Sequence, residues 1–304
     1  MIPDAQHAPD APGTRLDRFL LNAYPWLDRP TLEELFSSGQ ILLNSRPAKK
    51  GARLAPGDSV LCRNLPEPAD LRLRPNPELP LRVVYEDESL LALDKPAGQP
   101  THPIRWSESN TLANALVARH PSLADVGEDR LFPSLVHRLD VHTSGLVLAA
   151  KNLPAYSALR GQFQSFAVEK HYLALVHGSV DAPGSLDAPL VHQTRSPCKM
   201  AVARNPNRFP PSDVFPASTF WNPVGRGPSF TLLDVVIFSG VTHQIRCHLA
   251  AAGHPVAGDS LYGSPLSSPR HWLHASRIAC IHPATGKPLE ISCPLPPDWP
   301  PVER

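Results

Sequence analysis

A polar segment between two apolar runs, residues 137–145, constrains the fold of this chain more than any other feature. It reads HRLDVHTSG, with Leu135-Val136 before it and the apolar run 146–150 after it. Short apolar runs separated by a Thr-Ser-Gly turn signal are typical of two strands joined by a tight connection. The sequence therefore predicts that Asp140 lies on that connection.

The surroundings of Asp140 favour a chemical role. Arg138 lies on the same side of an extended chain, because side chains of a strand alternate with a period of two. Thr143 and Ser144 can donate hydrogen bonds into the turn. An aspartate that stays ionised in a pocket needs such donors and a cation. The alternative is a turn aspartate that bonds its own backbone.

Arg246 is a candidate cation, in the sequence GVTHQIRCH. Thr242 can cap a helix N-terminus, and Ile245 and Leu249 are one turn apart on the face that would meet the core. Arg246 shares a different face with His243 and would project from the first turn towards a ligand. The alternative is a surface arginine on an amphipathic helix.

Tyr172 is a third candidate, in the alternating segment VEKHYLALV. Alternation places Lys170, Tyr172 and Ala174 on one face of a strand. A strand tyrosine usually belongs to the core. A functional tyrosine would instead stack on a flat substrate such as a nucleobase.

Composition excludes several classes of protein. No apolar run reaches the roughly 18 residues of a membrane span, and the first residues have neither the basic nor the apolar region of a secretory signal. The five cysteines are scattered without a C-x-x-C pair, which argues against disulfides or a zinc site and for a reducing compartment. The 14 histidines form no H-E-x-x-H motif. We expect a cytoplasmic monomer without metal, cofactor or membrane contact.

Charge bears on nucleic-acid binding only through its distribution. The formal net charge is +1, so a chain that binds RNA must concentrate its basic groups locally.

Proline-rich stretches divide the 304 residues into parts. Within the second part, two helices with apolar faces precede a strand at 40–44, and Gly39 is placed to end the second helix. The predicted parts are a disordered tail (1–13), a compact α/β unit (14–64), a linker with five prolines (65–80), a large domain (81–298) and a second tail (299–304).

The large domain lacks regular strand–helix alternation, which favours an α+β fold with a mixed sheet over a doubly wound parallel sheet. The polar, Pro-rich segment 192–229 predicts either a functional loop or a poorly ordered region. Strands are predicted at 81–85, 90–94, 134–138, 146–150, 168–177 and 230–238, and helices at 110–119, 153–166 and 242–252.

The segment at 137–145 resembles the H-R-L-D-x-x-T-S-G signature of the RluA family of pseudouridine synthases. The N-terminal unit resembles an S4 RNA-binding domain through its RLDR sequence at 15–18, Gly39, Asn44 and Gly57-Asp58. The resemblance to the synthases covers about 81–298, and further segments resemble their motifs in the same order: 94–98 with His102-Pro103, 170–178, 199–200, 242–246, 258–263, 273–275 and 282–283.

The resemblance implies an isomerase that converts chosen uridines in structured RNA to pseudouridine. The glycosidic bond to N1 breaks, the base turns, and C5 bonds to the same ribose carbon, so no cofactor is needed. It further implies a central mixed, mostly antiparallel sheet flanked by helices. The expected substrate is large-subunit ribosomal RNA of the 23S type, and the alternative substrate is transfer RNA.

The resemblance also assigns residues. Asp140 matches the catalytic aspartate, whose role as nucleophile or base stays open. Tyr172 matches the tyrosine that packs on the target base, Arg246 the residue that pairs with the aspartate, and Arg138 an arginine that acts in flipping the nucleotide. Further expected substrate contacts are His137, Thr143, His243, Gln244 and Leu273, and expected RNA contacts of the S4-like unit are Arg15, Arg18, Arg29, Lys49 and Lys50.

Departures from the family pattern concern RNA choice more than chemistry. Val241 stands where the family usually has arginine, and Val141 and His142 follow Asp140 where basic residues are frequent. Two other functional classes remain open: an RNA-binding or ribosome-assembly protein without turnover, and a metal-dependent hydrolase that uses the histidines.

Overall fold

The computed structural model describes residues 4–8, 12–67, 70–193, 196–266 and 268–302. An N-terminal unit contains helices α1 (Leu16–Ala23) and α2 (Arg29–Ser37). Its antiparallel sheet has the strand order β1-β4-β2-β3, with β1 at Ala5–His7, β2 at Ile41–Leu43, β3 at Arg46–Pro47 and β4 at Val60–Cys62.

The predicted end of α2 at Gly39 is confirmed, and the structure adds a cap at the start of the helix. The Asp28 carboxylate accepts from the Thr31 N–H and caps α2, and Gly39 follows the helix at φ +70°. The predicted disorder of residues 1–13 is wrong for Ala5–His7, which pair with β4. Short-range composition does not reveal this pairing, because the partner strand lies more than 50 residues away.

The predicted linker is packed rather than extended in solvent. Leu65 and Leu71 are buried in the core of the N-terminal unit, whereas Leu73 is buried in the core of the large domain. Trp106 of the large domain also packs on the N-terminal core. The predicted linker at 65–80 therefore contributes to both cores, because its leucines bury apolar surface on both sides.

The large domain is built on one mixed sheet, confirming the predicted fold class. Its strands are β5 (Val83–Glu86), β6 (Leu90–Lys95), β7 (Ser144–Ala150), β8 (Glu169–His177), β9 (Gly184–Asp187), β12 (Ser218–Arg226), β13 (Phe230–Ile237), β14 (Leu273–Ile281) and β15 (Pro288–Ser292). The strand order is β5-β6-β7-β14-β8-β13-β12-β9, with β15 paired to β14. The β7–β14 pair is parallel, and the other described pairs are antiparallel.

Helices flank this sheet at the predicted places. They are α3 (Leu112–Arg119), α4 (Leu153–Gln164) and α5 (Gln244–Ala251). Among the residues described above, no helix is both long and apolar enough to cross a membrane.

Three other predictions need correction. Residues 134–138 form only an isolated bridge, Leu135 to Ala149, rather than a strand. The segment 192–229 contains most of a hairpin, β10 (Leu190–Gln193) with β11 (Ser196–Val202), and the whole of β12. The predicted tail at 299–304 begins with Trp299, whose ring packs edge-on against Trp272 at 5.7 Å.

β7 is an inner strand of the sheet, and the connection with Asp140 leads directly into it. All seven of its residues are buried, as expected for a continuous apolar run covered on both faces. At its start Gly145 has φ +108°, and a Cβ there would lie 2.2 Å from the Ala275 carbonyl oxygen of β14. Only glycine allows the two strands to approach this closely.

We therefore predict that Gly145→Ala destabilises the fold by about 3 kcal/mol or more, through both the backbone conformation and the clash. Gly161→Ala in α4 is the matched control, because a Cβ there meets nothing within 4 Å, and it should stabilise by about 0.5–1 kcal/mol. Urea unfolding measures both variants. Equal effects of the two substitutions would contradict the close approach of β7 and β14.

Candidate active site

Asp140 lies on the connection that leads into β7, as predicted. The Thr143 N–H donates to the Asp140 carbonyl at 3.1 Å and closes the turn. Before the turn the chain runs beside β7, where the Val136 N–H donates to the Leu148 carbonyl at 3.2 Å. The Asp140 side chain keeps 21% of its surface exposed. The segment that holds Asp140 is thus anchored to β7, and its carboxylate is still open to a ligand.

The Arg246 guanidinium contacts two carboxylates. Its Nη1 donates to Asp140 Oδ2 at 2.8 Å. Its Nε and Nη2 donate to the two oxygens of Asp259 at 2.6 and 3.0 Å. Arg246 therefore bridges α5, the Asp140 connection and the segment that precedes β14.

Burial and charge act in opposite directions on this guanidinium. Burial lowers the pKa of Arg246, but the hydrogen bonds and negative charges of Asp259 and Asp140 outweigh it and raise the pKa. Arg246 consequently stays charged wherever the protein is folded. The Asp140 carboxylate has a permanent cation beside it.

Asp259 is the functional residue that sequence reasoning missed. It belongs to a segment that resembles a family motif, but no role followed from its type or spacing. Its side chain is 1% exposed. A buried carboxylate bidentate to arginine fixes the orientation of the guanidinium plane. Asp259 thereby directs the remaining nitrogen, Nη1, to Asp140.

Tyr172 lies in β8, between Ala275 of β14 and Val235 of β13. Burial, together with the charge of Asp140, raises the pKa of its phenol. The hydroxyl therefore remains protonated at neutral pH. The ring combines the core position expected for a strand tyrosine with a place at the wall of a cavity.

Two adjoining cavities meet at Tyr172. The smaller, about 80 Å³, is lined by Asp140, Arg246 and Tyr172, and also by Thr143 and Leu273. The larger, about 500 Å³, shares Tyr172 and Arg138 with it. A volume of several hundred Å³ is usual for a ligand site. Together they form the active-site cavity, with the carboxylate in its narrow part.

Arg138 and Val241 line both parts of the active-site cavity. Arg138 is exposed and forms no ion pair with the residues that the structure describes. Its guanidinium is thus available to an anion, rather than paired with Asp140. Val241 places an apolar side chain at the position where the family that these motifs resemble usually has an arginine.

The helix that carries Arg246 begins at two residues predicted to bind substrate. His243 has φ +55°, its Nδ1 lies 3.2 Å from the Tyr262 hydroxyl, and its Nε2 lies 3.8 Å from Asp140 Oδ2. Burial lowers the pKa of His243. The Gln244 amide is already engaged by the protein, with Ser239, Val241, Ser218 and Thr219 as partners.

His137 lines the wide part of the cavity, but its ring is held by the protein. Its Nε2 accepts from the Leu148 N–H at 3.0 Å, and the ring stacks on Phe163 with centroids 4.7 Å apart. Burial lowers the pKa of His137 to about 3, so the ring is neutral. These contacts indicate a structural role for the His137 ring in the wall of the cavity.

The prediction that Thr143 and Ser144 donate hydrogen bonds into the turn at Asp140 is wrong, because both hydroxyls have other partners. Thr143 Oγ1 is hydrogen-bonded to His271 Nε2 at 2.8 Å, and Ser144 Oγ to His274 Nδ1 at 3.0 Å. Both histidines come from the far end of the chain. They tie the connection to β14 instead.

The basic residues predicted in the N-terminal unit lie outside this cavity and divide into two groups. Arg15 pairs with Asp17 at 2.8 Å, and Lys50 pairs with Glu33. Arg18, Arg29 and Lys49 are exposed and form no ion pair within the described part of the chain.

Across the described ranges, no group of three or more His, Cys, Asp or Glu residues is arranged to hold a metal ion. The side chains of Cys62, Cys247, Cys280 and Cys293 are buried and unpaired.

Comparison with known proteins identifies the class. The RNA pseudouridylate synthase family matches residues 89–251, more than half of the chain. The chain belongs to this family and is an isomerase that converts uridine in RNA to pseudouridine. The resemblance of the large domain to pseudouridine synthases is confirmed.

Individual relatives extend the match beyond the catalytic domain. Ribosomal large subunit pseudouridine synthase D of Xanthomonas campestris is 35% identical, covering 98% of this chain and 89% of its own. An uncharacterized RNA pseudouridine synthase of Chloroflexus aurantiacus is 38% identical, over 95% and 89%. The structure of human RNA Pseudouridylate Synthase Domain Containing 1 shares the fold, with a TM-score of 0.58, 24% identity, and coverage of 71% of this chain and 84% of its own.

Proposed function

We propose that this enzyme modifies the large-subunit ribosomal RNA, with Asp140, Arg246 and Tyr172 as its catalytic residues. The 2.8 Å ion pair between Arg246 and Asp140 in the narrow part of the cavity carries the catalytic assignment. The RNA target rests on relatives named ribosomal large subunit pseudouridine synthase D, such as those of Xanthomonas campestris and Nitrosomonas europaea, each 35% identical over at least 94% of this chain. Transfer RNA is the alternative target.

The site supports the required steps in order. Arg138, exposed at the junction of the two parts of the cavity, holds a phosphate while the target nucleotide leaves its stack, at a cost of a few kcal/mol. Tyr172 packs on the uracil. The Asp140 carboxylate then meets the ribose, where it either attacks C1′ or removes the 2′ proton.

Arg246 and the narrow part of the cavity stabilise the stage at which uracil is detached from ribose and keep water away from it. The guanidinium lies 2.8 Å from the Asp140 carboxylate and compensates its negative charge. A detached uracil can turn and bond through C5, which then loses its proton while N1 gains one, only if water does not reach the ribosyl carbon first. The space of about 80 Å³ around Asp140 limits such access.

The N-terminal unit is proposed to bind RNA as an S4-like domain. Its exposed cations Arg18, Arg29 and Lys49 are free to neutralise phosphates. Arg15 and Lys50 already have carboxylate partners, so we assign them smaller contributions. A monomeric state and a cytoplasmic location stay predictions.

The assignment of target and catalytic residue is tested by pseudouridine mapping in a strain that lacks the gene. Wild-type complementation should restore one or a few sites in large-subunit ribosomal RNA. Asp140→Asn should restore none, because a neutral amide neither attacks nor accepts a proton, while its RNA affinity stays within about threefold. Sites restored only in transfer RNA would contradict the target, and full restoration by Asp140→Asn would contradict the catalytic role.

The role of the N-terminal unit is tested by filter binding of ribosomal RNA at several salt concentrations. Replacing Arg18, Arg29 and Lys49 together by alanine should weaken binding and reduce the salt slope by up to about three. Lys50→Ala is the matched control, because its charge is already paired with Glu33. An unchanged slope in the triple variant would place RNA elsewhere on the surface.

A further inference from the structure

Helix α4 ends in an unusual way. After its last residues, the Phe166 N–H donates to the Phe163 carbonyl and the Ala167 N–H to the Gln162 carbonyl. This is the common C-terminal motif that requires a left-handed residue after the cap. Phe166 takes that position, with φ +58°.

Two other helices of this chain end in the same motif with glycine. Gly39 follows α2 at φ +70°, and Gly253 follows α5 at φ +91°. Glycine adopts this conformation without steric cost, whereas a bulky side chain is strained by it. Phe166 is also 52% exposed, so burial does little to offset the strain. An exposed aromatic ring kept at a strained position points to a contact outside the chain.

Phe166 lies between the active-site cavity and a second cavity. It lines the wide part of the first, together with Arg138 and Tyr172. It also lines a neighbouring space of about 600 Å³ with Phe220 and Phe238. We name this space the phenylalanine cavity, after these three residues. Phe220 and Phe238 are 44% and 38% exposed.

The chemistry of the two cavities differs. Arg138 and Arg160 line the active-site cavity, whereas the described lining of the phenylalanine cavity contains no lysine or arginine and includes Asp187. A phosphate would be repelled there. A flat, neutral group such as a nucleobase fits exposed phenylalanine rings.

One edge of the phenylalanine cavity is held by the protein before any ligand binds. The buried Lys170 ammonium, which lines the active-site cavity, donates to the carbonyls of Phe238 and Ser239 at 2.7 and 2.8 Å. A nucleobase that flips out of RNA leaves its neighbours without a stacking partner. An aromatic surface next to the site of flipping would replace that lost stacking.

We propose that Phe166, with Phe220 and Phe238, forms a stacking site for a nucleobase adjacent to the target uridine. This inference rests on the proposed placement of that uridine between Tyr172 and Asp140. It does not depend on which RNA is the target.

Two variants separate stacking from a structural role. Phe166→Gly removes the ring and the backbone strain, and Phe166→Tyr keeps both. Leu153→Ala is the matched control, because Leu153 is 55% exposed at the other end of α4. Melting temperature, kcat and KM are measured with total RNA from a strain that lacks the gene. Binding is followed with a single-stranded heptauridylate that carries 2-aminopurine next to its central uridine.

Phe166→Gly should raise Tm by about 2 °C because the strain is relieved. It should raise KM about tenfold with kcat within about twofold, and abolish the quenching of 2-aminopurine. Phe166→Tyr and Leu153→Ala should keep both KM and quenching near wild type.

A fall in Tm with unchanged KM and quenching would assign Phe166 to packing and overturn the proposal. A change of oligomeric state in Phe166→Gly would assign the surface to contact with a second copy of this chain. That result would also overturn the proposal. The 2-aminopurine signal needs no turnover, so it supports or overturns the stacking site even if mapping finds no ribosomal target. Asp140→Asn should quench 2-aminopurine as the wild type does, because this variant loses catalysis and keeps RNA binding.

Discussion

The guanidinium of Arg246, held between two carboxylates, is the interaction on which the site depends. Asp259 contacts it through two hydrogen bonds and Asp140 through one. A guanidinium has a fixed planar fork of donors, so fixing one edge directs the other. The Asp140 carboxylate is therefore positioned by a cation whose own orientation is set by a third, buried residue, Asp259.

The fold serves this arrangement by bringing together three distant parts of the chain. Asp140 enters from the connection before β7, Arg246 from α5, and Asp259 from the segment ahead of β14. Gly145 allows β7 and β14 to approach, and His271 and His274 bind the hydroxyls that follow Asp140. Because several contacts hold each member, the ion pairs exist before substrate binds, and little reorganisation is needed during reaction.

Local patterns predicted the parts that local physics determines. The flanking helices were found by their apolar period, and the end of α2 by Gly39, because these signals act over a few residues. β14 was missed because His274, Ser276 and Arg277 interrupt its apolar run. His274 is buried in the strand through its contact with Ser144, a partner 130 residues away.

For the site, as for the fold, the sequence indicated residues within local motifs but not the contacts between distant parts of the chain. Motif resemblance brought out Asp140, Tyr172 and Arg246, but neither spacing nor residue type relates Arg246 to Asp259. The contacts of Gln244 and His137 with the protein likewise depend on tertiary structure. The residues that line the cavity are thus held in place by other residues that a sequence pattern does not distinguish from them.

The most direct measurement is the single-turnover rate of pseudouridine formation by Asp259→Asn at saturating RNA. Asparagine keeps the size of the side chain but removes its charge and one acceptor, so the guanidinium loses its fixed edge. We predict a rate lower by about 10- to 100-fold, with RNA affinity within about threefold, because only the geometry at Asp140 is disturbed. A folded variant with the wild-type rate would contradict the account.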